Sequence, residues 1–174
     1  MNRSQLSGIV NIGDENITLG TPGTYMPEAH PCRLFHQYWL ALSKQRDGLP
    51  ERPDFAPSDI PRLLPFIVIF DIDSTGAHAN YRYRLVGTEI VDMLDMNPTG
   101  KLVSEVVSAS RLSDRLRIYD LSVEQRTAVF TSRHVPVEKR SFIPVFTGLF
   151  PFAARSGGPP EQLFMIAARR EIEL

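Results

Sequence analysis

The pattern of apolar and polar positions changes within one stretch of fourteen residues, YRYRLVGTEIVDML. Its first half places Tyr81, Tyr83 and Leu85 at every second position, which is typical of a half-buried strand. After Gly87 the apolar spacing becomes three to four residues, which is typical of a helix. The apolar positions of that helix are Ile90, Met93 and Leu94. A strand that leads directly into a short helix can form an active-site turn, a phosphate-binding loop or one wall of a small-molecule pocket.

Strands are predicted on both sides of a central group of helices. The runs FIVIFDI and YRYRLVG, around the turn-rich DSTGAHAN, predict an antiparallel pair. A short strand near 132–139 and the runs RSFIPVFTGLFPFAA and QLFMIAARREI predict three more. The longest central helix is predicted for residues 110–129. Strands grouped at both ends with helices segregated between them favour an α+β fold with an antiparallel sheet.

An amphipathic helix is predicted before the first strand, with Pro31 at its start and Gly48 after its end. One face of this helix is strongly apolar, so it must cover either the sheet of this chain or a partner protein. If it does not cap its own sheet, this face is the candidate partner-binding surface. Its members are Leu34, Phe35, Tyr38, Trp39 and Leu42.

The chain divides into an arm and one domain. Residues 1–29 are rich in Gly, Asn, Ser and Thr and lack a sustained period, so we expect a flexible N-terminal arm. Residues 30–174 are enough for a single domain with a real core.

Charge and cysteine usage narrow the classes of partner. The formal net charge is −1, which gives no general field to attract nucleic acid or an anionic membrane. No apolar run is long enough to span a membrane, and the single Cys32 excludes an internal disulfide, so we expect a cytoplasmic protein. The arginines of the central helix alternate with acids and are predicted to face solvent rather than phosphate. They are Arg111, Arg115, Arg117 and Arg126.

No pattern of enzymatic chemistry is present: the sequence lacks Gly-x-Ser-x-Gly, His-Glu-x-x-His, Walker A and Gly-x-Gly-x-x-Gly. We therefore predict no catalytic residue. His30, Cys32 and His36 have a metal-like spacing, but a structural zinc site needs four ligands, so no metal is predicted. A redox role for Cys32 is a separate hypothesis, since the first turn of a helix can lower the pKa of a thiol.

Three segments resemble a known family. They are the aromatic helix with LPERPDFAPSDIPRLLPFIVIFDI, the stretch YRYRLVGTEIVDMLDMNPTGK with its Arg-Leu-Val-Gly-Thr core, and FIPVFTGLFPFA in the closing strands. Together they span residues 31–172 and resemble short bacterial PAS-like proteins of unknown function. The resemblance implies a PAS-like five-stranded antiparallel sheet, with helices on one face enclosing a small cavity and an extra N-terminal helix.

The resemblance also implies a sensory or interaction module rather than an enzyme, and it supplies no ligand. Haem and flavin are not favoured, because His78 falls in a predicted hairpin turn, His134 starts a strand, and the cysteine motif of light-sensing flavin domains is missing. Since the sequence ends soon after its last predicted strand, we expect any signal to pass through a homodimer or a separate signalling protein.

The predicted sheet and the helix after it suggest a cavity for a small apolar ligand. The same residues would equally form a filled core, which would leave a pure interaction or dimerisation scaffold without a ligand. The candidate cavity residues are Tyr81, Tyr83, Leu85, Ile90, Met93, Leu94, Phe130, Phe146 and Met165.

Overall fold

One antiparallel sheet forms the centre of the fold. The computed structural model describes residues 9–46, 48–73, 79–155 and 157–174. The strands are β1 (Ile9–Ile12), β2 (Glu15–Leu19), β3 (Ile67–Asp73), β4 (Asn80–Val86), β5 (Val129–His134), β6 (Pro144–Ala153) and β7 (Pro160–Arg169). The helices are α1 (Pro31–Arg46), α2 (Thr88–Leu94), α3 (Val103–Val106) and α4 (Ala109–Gln125). Every strand pair is antiparallel, in the order β1-β2-β5-β6-β7-β3-β4, which confirms the predicted α+β class.

The sheet has two strands more than the five predicted, and both come from the expected flexible arm. β1 and β2 form a hairpin whose turn contains Gly13 at a φ of 57°. β2 extends the sheet at β5, where Ile17 pairs with Thr131. The side chain of Ile17 is fully buried, and this burial anchors the hairpin. The arm therefore contributes to the sheet from residue 9 onward, while residues 1–8 lie outside the described part of the chain.

Helix α1 covers the sheet of its own chain, so its apolar face is not a free partner surface. It packs on β6 and β7. Phe35, Trp39 and Leu42 are buried, and the Trp39 indole Nε1 donates a hydrogen bond of 3.1 Å to the Pro151 carbonyl. The predicted partner-binding residues Leu34 and Tyr38 are half-buried against the same core. Burial of this stripe within the chain removes the reason for assigning it to a partner.

The two faces of the sheet carry different cores. On the α1 face, aromatic rings from β5, β6 and β7 interlock with the helix; the Phe152 and Phe164 centroids are 4.1 Å apart. On the other face α2, α3 and α4 pack over aliphatic, methionine and tyrosine side chains. Among the described residues, no helix combines the length and apolar character needed to cross a membrane.

The connection between α1 and β3 fixes the start of α2. Three short 3₁₀ turns occupy Arg52–Asp54, Pro57–Asp59 and Pro61–Phe66, as the prolines predict. A Cβ on Gly87 would lie 2.5 Å from the Leu64 carbonyl oxygen. Gly87 is therefore needed for a close approach of two backbones. It also occupies the N-terminal cap position of α2.

Candidate ligand-binding cavity

A cavity of about 30 Å³ lies between the sheet and the helices α2 and α4. Strands β4, β5, β6 and β7 supply its floor, and α2 and α4 supply its roof. Five of the nine predicted cavity residues line it. These are Tyr83, Ile90, Met93, Leu94 and Met165. The strand-to-helix stretch 81–94 thus forms a wall of the cavity.

Tyr81 is buried beside the cavity but does not line it. Its hydroxyl donates a hydrogen bond of 2.7 Å to Asp120 Oδ1 on α4. Burial, with the adjacent Asp120 carboxylate, raises the pKa of the Tyr81 phenol. Tyr81 therefore ties β4 to α4 as a neutral donor and has a structural role at the margin of the site.

Leu85 lies outside the cavity because β4 contains a bulge. Phe70 pairs with Tyr83 and Ile69 pairs with Leu85, so Arg84 is an extra residue between the two pairs. The extra residue shifts the alternation of faces, and the Leu85 side chain is 45% exposed. Val86 packs against the cavity-side core at the position that regular alternation would have given to Leu85.

Phe130 and Phe146 lie on the opposite face of the sheet. Both belong to the aromatic core under α1, where the Phe130 ring contacts His36 and the Phe146 ring contacts His30. In β5 the cavity side is instead occupied by Val129, Thr131 and Arg133. The sequence prediction assigned these two phenylalanines to the wrong face. For Phe130 the cause is that β5 begins at Val129, before the strand predicted near 132–139.

The sequence interpretation missed six lining residues. They are Tyr119, Arg133, Val135, Pro136, Val145 and Ala167. Tyr119 lies on α4, and its hydroxyl donates to Met165 Sδ at 3.8 Å. Burial raises the pKa of the Tyr83 and Tyr119 phenols, so both remain neutral hydrogen-bond donors.

Arg133 is the charged group of the cavity, and its side chain is nearly enclosed. The residue is 5% exposed. Its Nε donates to Thr147 Oγ1 at 2.9 Å and its Nη2 to Met165 Sδ at 3.5 Å. Its Nη1 is buried without a hydrogen-bond partner among the described residues. Burial lowers the pKa of the guanidinium to about 10, with a further contribution from Arg115, so it stays charged at neutral pH.

Arg115 on α4 is also buried, although the sequence analysis placed it in solvent. It is 2% exposed and holds Glu15 of β2 in a bidentate ion pair, with Nη2–Oε1 at 2.7 Å and Nη1–Oε2 at 3.4 Å. Arg115 is one helical turn before Tyr119 and so shares its inward face. The pair connects the N-terminal hairpin to the helix that roofs the cavity.

This arrangement can bind a molecule but offers no catalytic pair. Its lining, all within the described residues, contains a cation and two neutral phenols among apolar groups and no carboxylate, cysteine or histidine. A general base for proton transfer is therefore missing from the lining. Haem and flavin do not fit this cavity either, since about 30 Å³ is far below their ring volume. His134 is exposed at the end of β5, and His78 lies outside the described residues.

The cluster His30, Cys32 and His36 is part of the aromatic core. Cys32 Sγ donates to the carbonyls of Ile166 and Phe146 at 3.3 and 3.5 Å, and its amide donates to His30 Nδ1. Burial raises the pKa of the Cys32 thiol, which contradicts the lowered value that a redox role requires. The described residues contain no group of three side chains placed to hold a metal ion.

Comparison with known proteins gives one family and two distant structures. A family model described as a PAS domain matches residues 28–167. No curated protein matches the chain. A sensory box sensor histidine kinase from Vibrio cholerae is 15% identical, with 65% of this chain and 85% of that chain covered and a TM-score of 0.46. An RNA-binding light-oxygen-voltage receptor is 12% identical, with coverages of 70% and 36% and a TM-score of 0.45.

Proposed function

Because the chain belongs to the PAS domain family, we propose that it is a non-catalytic sensory or regulatory module that binds a small, largely apolar ligand in the cavity under α2 and α4. PAS domains are generally signalling modules that bind ligands or partner proteins. The observation that carries the proposal is the cavity lining, which is apolar apart from a few polar groups, as is usual for small-molecule sites. Binding would alter the packing of α2 and α4, and a partner protein or a second copy of the chain would read that change.

The test compares two neighbouring alanines of β7 that face opposite sides of the sheet. Ala167 lines the cavity, whereas Ala168 is buried in the aromatic core. Native mass spectrometry of the purified protein, followed by denaturing extraction, detects a retained small molecule. We expect Ala167→Val to reduce the fraction of protein that retains the small molecule, because the added methyl groups occupy the cavity. Ala168→Val should retain the molecule.

The small volume of the cavity supports a second candidate function. About 30 Å³ is room for about two water molecules, at about 10–15 Å³ each. A core that is nearly filled suits a pure interaction scaffold, which recognises a partner protein and needs no ligand. Protein that carries no extra mass, and whose Ala167→Val variant binds its partner as the wild type does, would favour the scaffold.

A further inference from the structure

The charges buried on the cavity side of the sheet do not balance. Two guanidinium groups lie there, those of Arg115 and Arg133. The Glu15 carboxylate is paired with Arg115. Among the described residues Arg133 forms no ion pair, and the Asp120 carboxylate of α4 accepts a hydrogen bond from Tyr81. Within the described part of the chain, the Glu15 carboxylate therefore serves two buried guanidinium groups, and Arg133 has no carboxylate of its own within ion-pair distance.

The unpaired charge belongs to a side chain of the cavity lining. Arg133 belongs to the lining, and its Nε and Nη2 are already engaged on the strand side by Thr147 and Met165. Its Nη1 remains buried and unpartnered. A guanidinium cannot relieve this situation by losing its proton at neutral pH, and an unpaired buried charge is strongly unfavourable. An anion in the cavity would supply the missing partner.

We propose that the ligand of this cavity is a small organic monocarboxylate, with its carboxylate on Arg133 Nη1 and its short apolar part against Ile90, Met93 and Leu94. This inference rests on the proposed function of the cavity and adds the chemical class of the ligand. A single excess positive charge matches a monoanion, and a planar carboxylate suits the planar donor edge of a guanidinium. Phosphate carries more charge and more acceptor oxygens than the single guanidinium of this lining can serve.

The size of the cavity limits the apolar part of the ligand. Its present volume of about 30 Å³ admits the carboxylate and little more. Met93 and Met165 line opposite sides, and unbranched thioether side chains adapt to a guest more readily than branched ones. A chain of a few carbon atoms is therefore the expected length.

The experiment titrates the protein with propionate and with propionamide, which have nearly the same shape and differ in charge. Amide chemical shifts in a ¹H–¹⁵N correlation spectrum report binding even when it is weak. We expect propionate to bind at least about tenfold more tightly, as a hydrogen bond to a charged group predicts. The largest shifts should fall on β5 and α2.

Three variants assign the preference to its residue. Arg133→Met removes the charge with little change in volume, so propionate and propionamide should bind about equally. Arg133→Lys keeps the charge and should keep the preference at reduced affinity, which covers the case in which the methionine variant does not fold. Arg117→Met removes an exposed arginine of α4 and should leave both affinities unchanged.

The outcomes separate this inference from the proposed function. Equal binding of both probes to the wild type would overturn the monocarboxylate while leaving a ligand-binding cavity. Persistence of the preference in Arg133→Met would place the anion elsewhere and overturn the assignment to Arg133. Displacement of propionate by an equal concentration of inorganic phosphate would make the ligand an inorganic oxyanion, contrary to the proposal. Absence of shifts with either probe would overturn the inference, while a small molecule retained in native mass spectrometry would still support the proposed function.

Discussion

The buried charges on the cavity side of the sheet predict that Glu15→Gln destabilises the protein. The Glu15 carboxylate contacts Arg115 through two hydrogen bonds, at 2.7 and 3.4 Å. The substitution removes one negative charge with almost no change in shape. It leaves the Arg115 guanidinium, whose side chain is 2% exposed, buried without a counter-charge. Two uncompensated cations, Arg115 and Arg133, would then share the same face of the sheet.

The expected loss of stability follows from the burial of the pair. Breaking a buried ion pair by removing one partner costs about 3–5 kcal/mol, because the remaining charge stays desolvated. The Glu15 side chain is 16% exposed, so some water reaches the site and the lower end of that range applies. We expect a decrease of about 3 kcal/mol in the free energy of unfolding, or about 6–12 °C in Tm for a domain of this size.

The measurement is urea denaturation followed by circular dichroism, with two reference variants. Glu28→Gln breaks an ion pair with Arg33 in which the Glu28 side chain is 84% exposed, and it should cost less than about 1 kcal/mol. The double variant Glu15→Gln/Arg115→Met removes both charges and should recover most of the loss, since no isolated ion remains.

Equal destabilisation by Glu15→Gln and Glu28→Gln would refute the reasoning. It would mean that water or a rearranged side chain solvates Arg115 as well as Glu15 does. Arg133 would then need no counter-charge, because the same solvation would be open to its guanidinium. A double variant less stable than Glu15→Gln would show that the aliphatic part of Arg115, rather than its charge, supports the fold.

Three further predictions follow from buried groups and close contacts. Burial lowers the pKa of His36 to about 4 from 6.5 in the unfolded chain, so the unfolded state takes up the proton first and stability falls as the pH drops from about 6.5 to 4. The loss should reach about 3 kcal/mol, and His36→Phe should remove most of it in urea titrations across that range. Cys32 should resist a thiol reagent in the native protein and react fully in urea; rapid native labelling would contradict its burial. Gly87→Ala should lower the free energy of unfolding by about 1–3 kcal/mol because its Cβ meets backbone, whereas Gly48→Ala, with open space around it, should be nearly neutral in the same assay.

The sequence predicted those elements whose apolar spacing can be recognised within a few consecutive residues. The alternation around Tyr83 identified β4, and the spacing of Ile90, Met93 and Leu94 identified the inner face of α2. Their presence on one cavity wall follows from local geometry, because a strand and the helix directly after it share the same side of the sheet. Met165 lines the same cavity from β7, which pairs with β3 and β6.

A bulge cannot be detected by a period of two. The insertion at Arg84 leaves β4 alternating normally up to Tyr83 and moves Leu85 out of the cavity. The residue types around it are ordinary for a strand, so no glycine or proline marks the position. Any prediction that extends a strict alternation across an irregular strand assigns the residues beyond it to the wrong face.

The N-terminal hairpin was missed because its strands are short and its pairing partner is far away. β2 has five residues, and Ile17 pairs with Thr131 more than a hundred positions along the chain. Five residues with two buried positions do not stand out from a loop rich in Asn and Thr. Only the free edge of β5, which exists after the rest of the sheet has formed, selects a strand at this position.

Arg115 and Arg133 show a different limit, since both occupy inward positions of patterns that the sequence displays. Arg115 precedes Tyr119 by one turn, and Arg133 follows Val129 and Thr131 at every second position. The sequence analysis did not assign these arginines to the core, because arginine is rarely buried without a partner. The partner of Arg115 is Glu15, in a segment that the sequence left outside the domain. Glu15 accounts for the burial of the Arg115 charge, but among the described residues no carboxylate does the same for Arg133. This unpaired charge is the reason for proposing a ligand.

The two faces of the sheet are packed differently, and this difference explains why the unpaired charge lies on the cavity side. Under α1, rings contact one another through the whole layer, and even Gly148 is required, since a Cβ there would lie 2.8 Å from the Phe150 ring. A packing of that density leaves no room for a guest. The opposite face is closed by the short helices α2 and α3, of seven and four residues, by the longer α4, and by methionine side chains. Short helices and adaptable side chains can move at small cost, while the aromatic layer holds the strands in register. An anion at Arg133 would therefore change the position of the short helix α2 rather than the sheet, which is the change that a partner protein could detect.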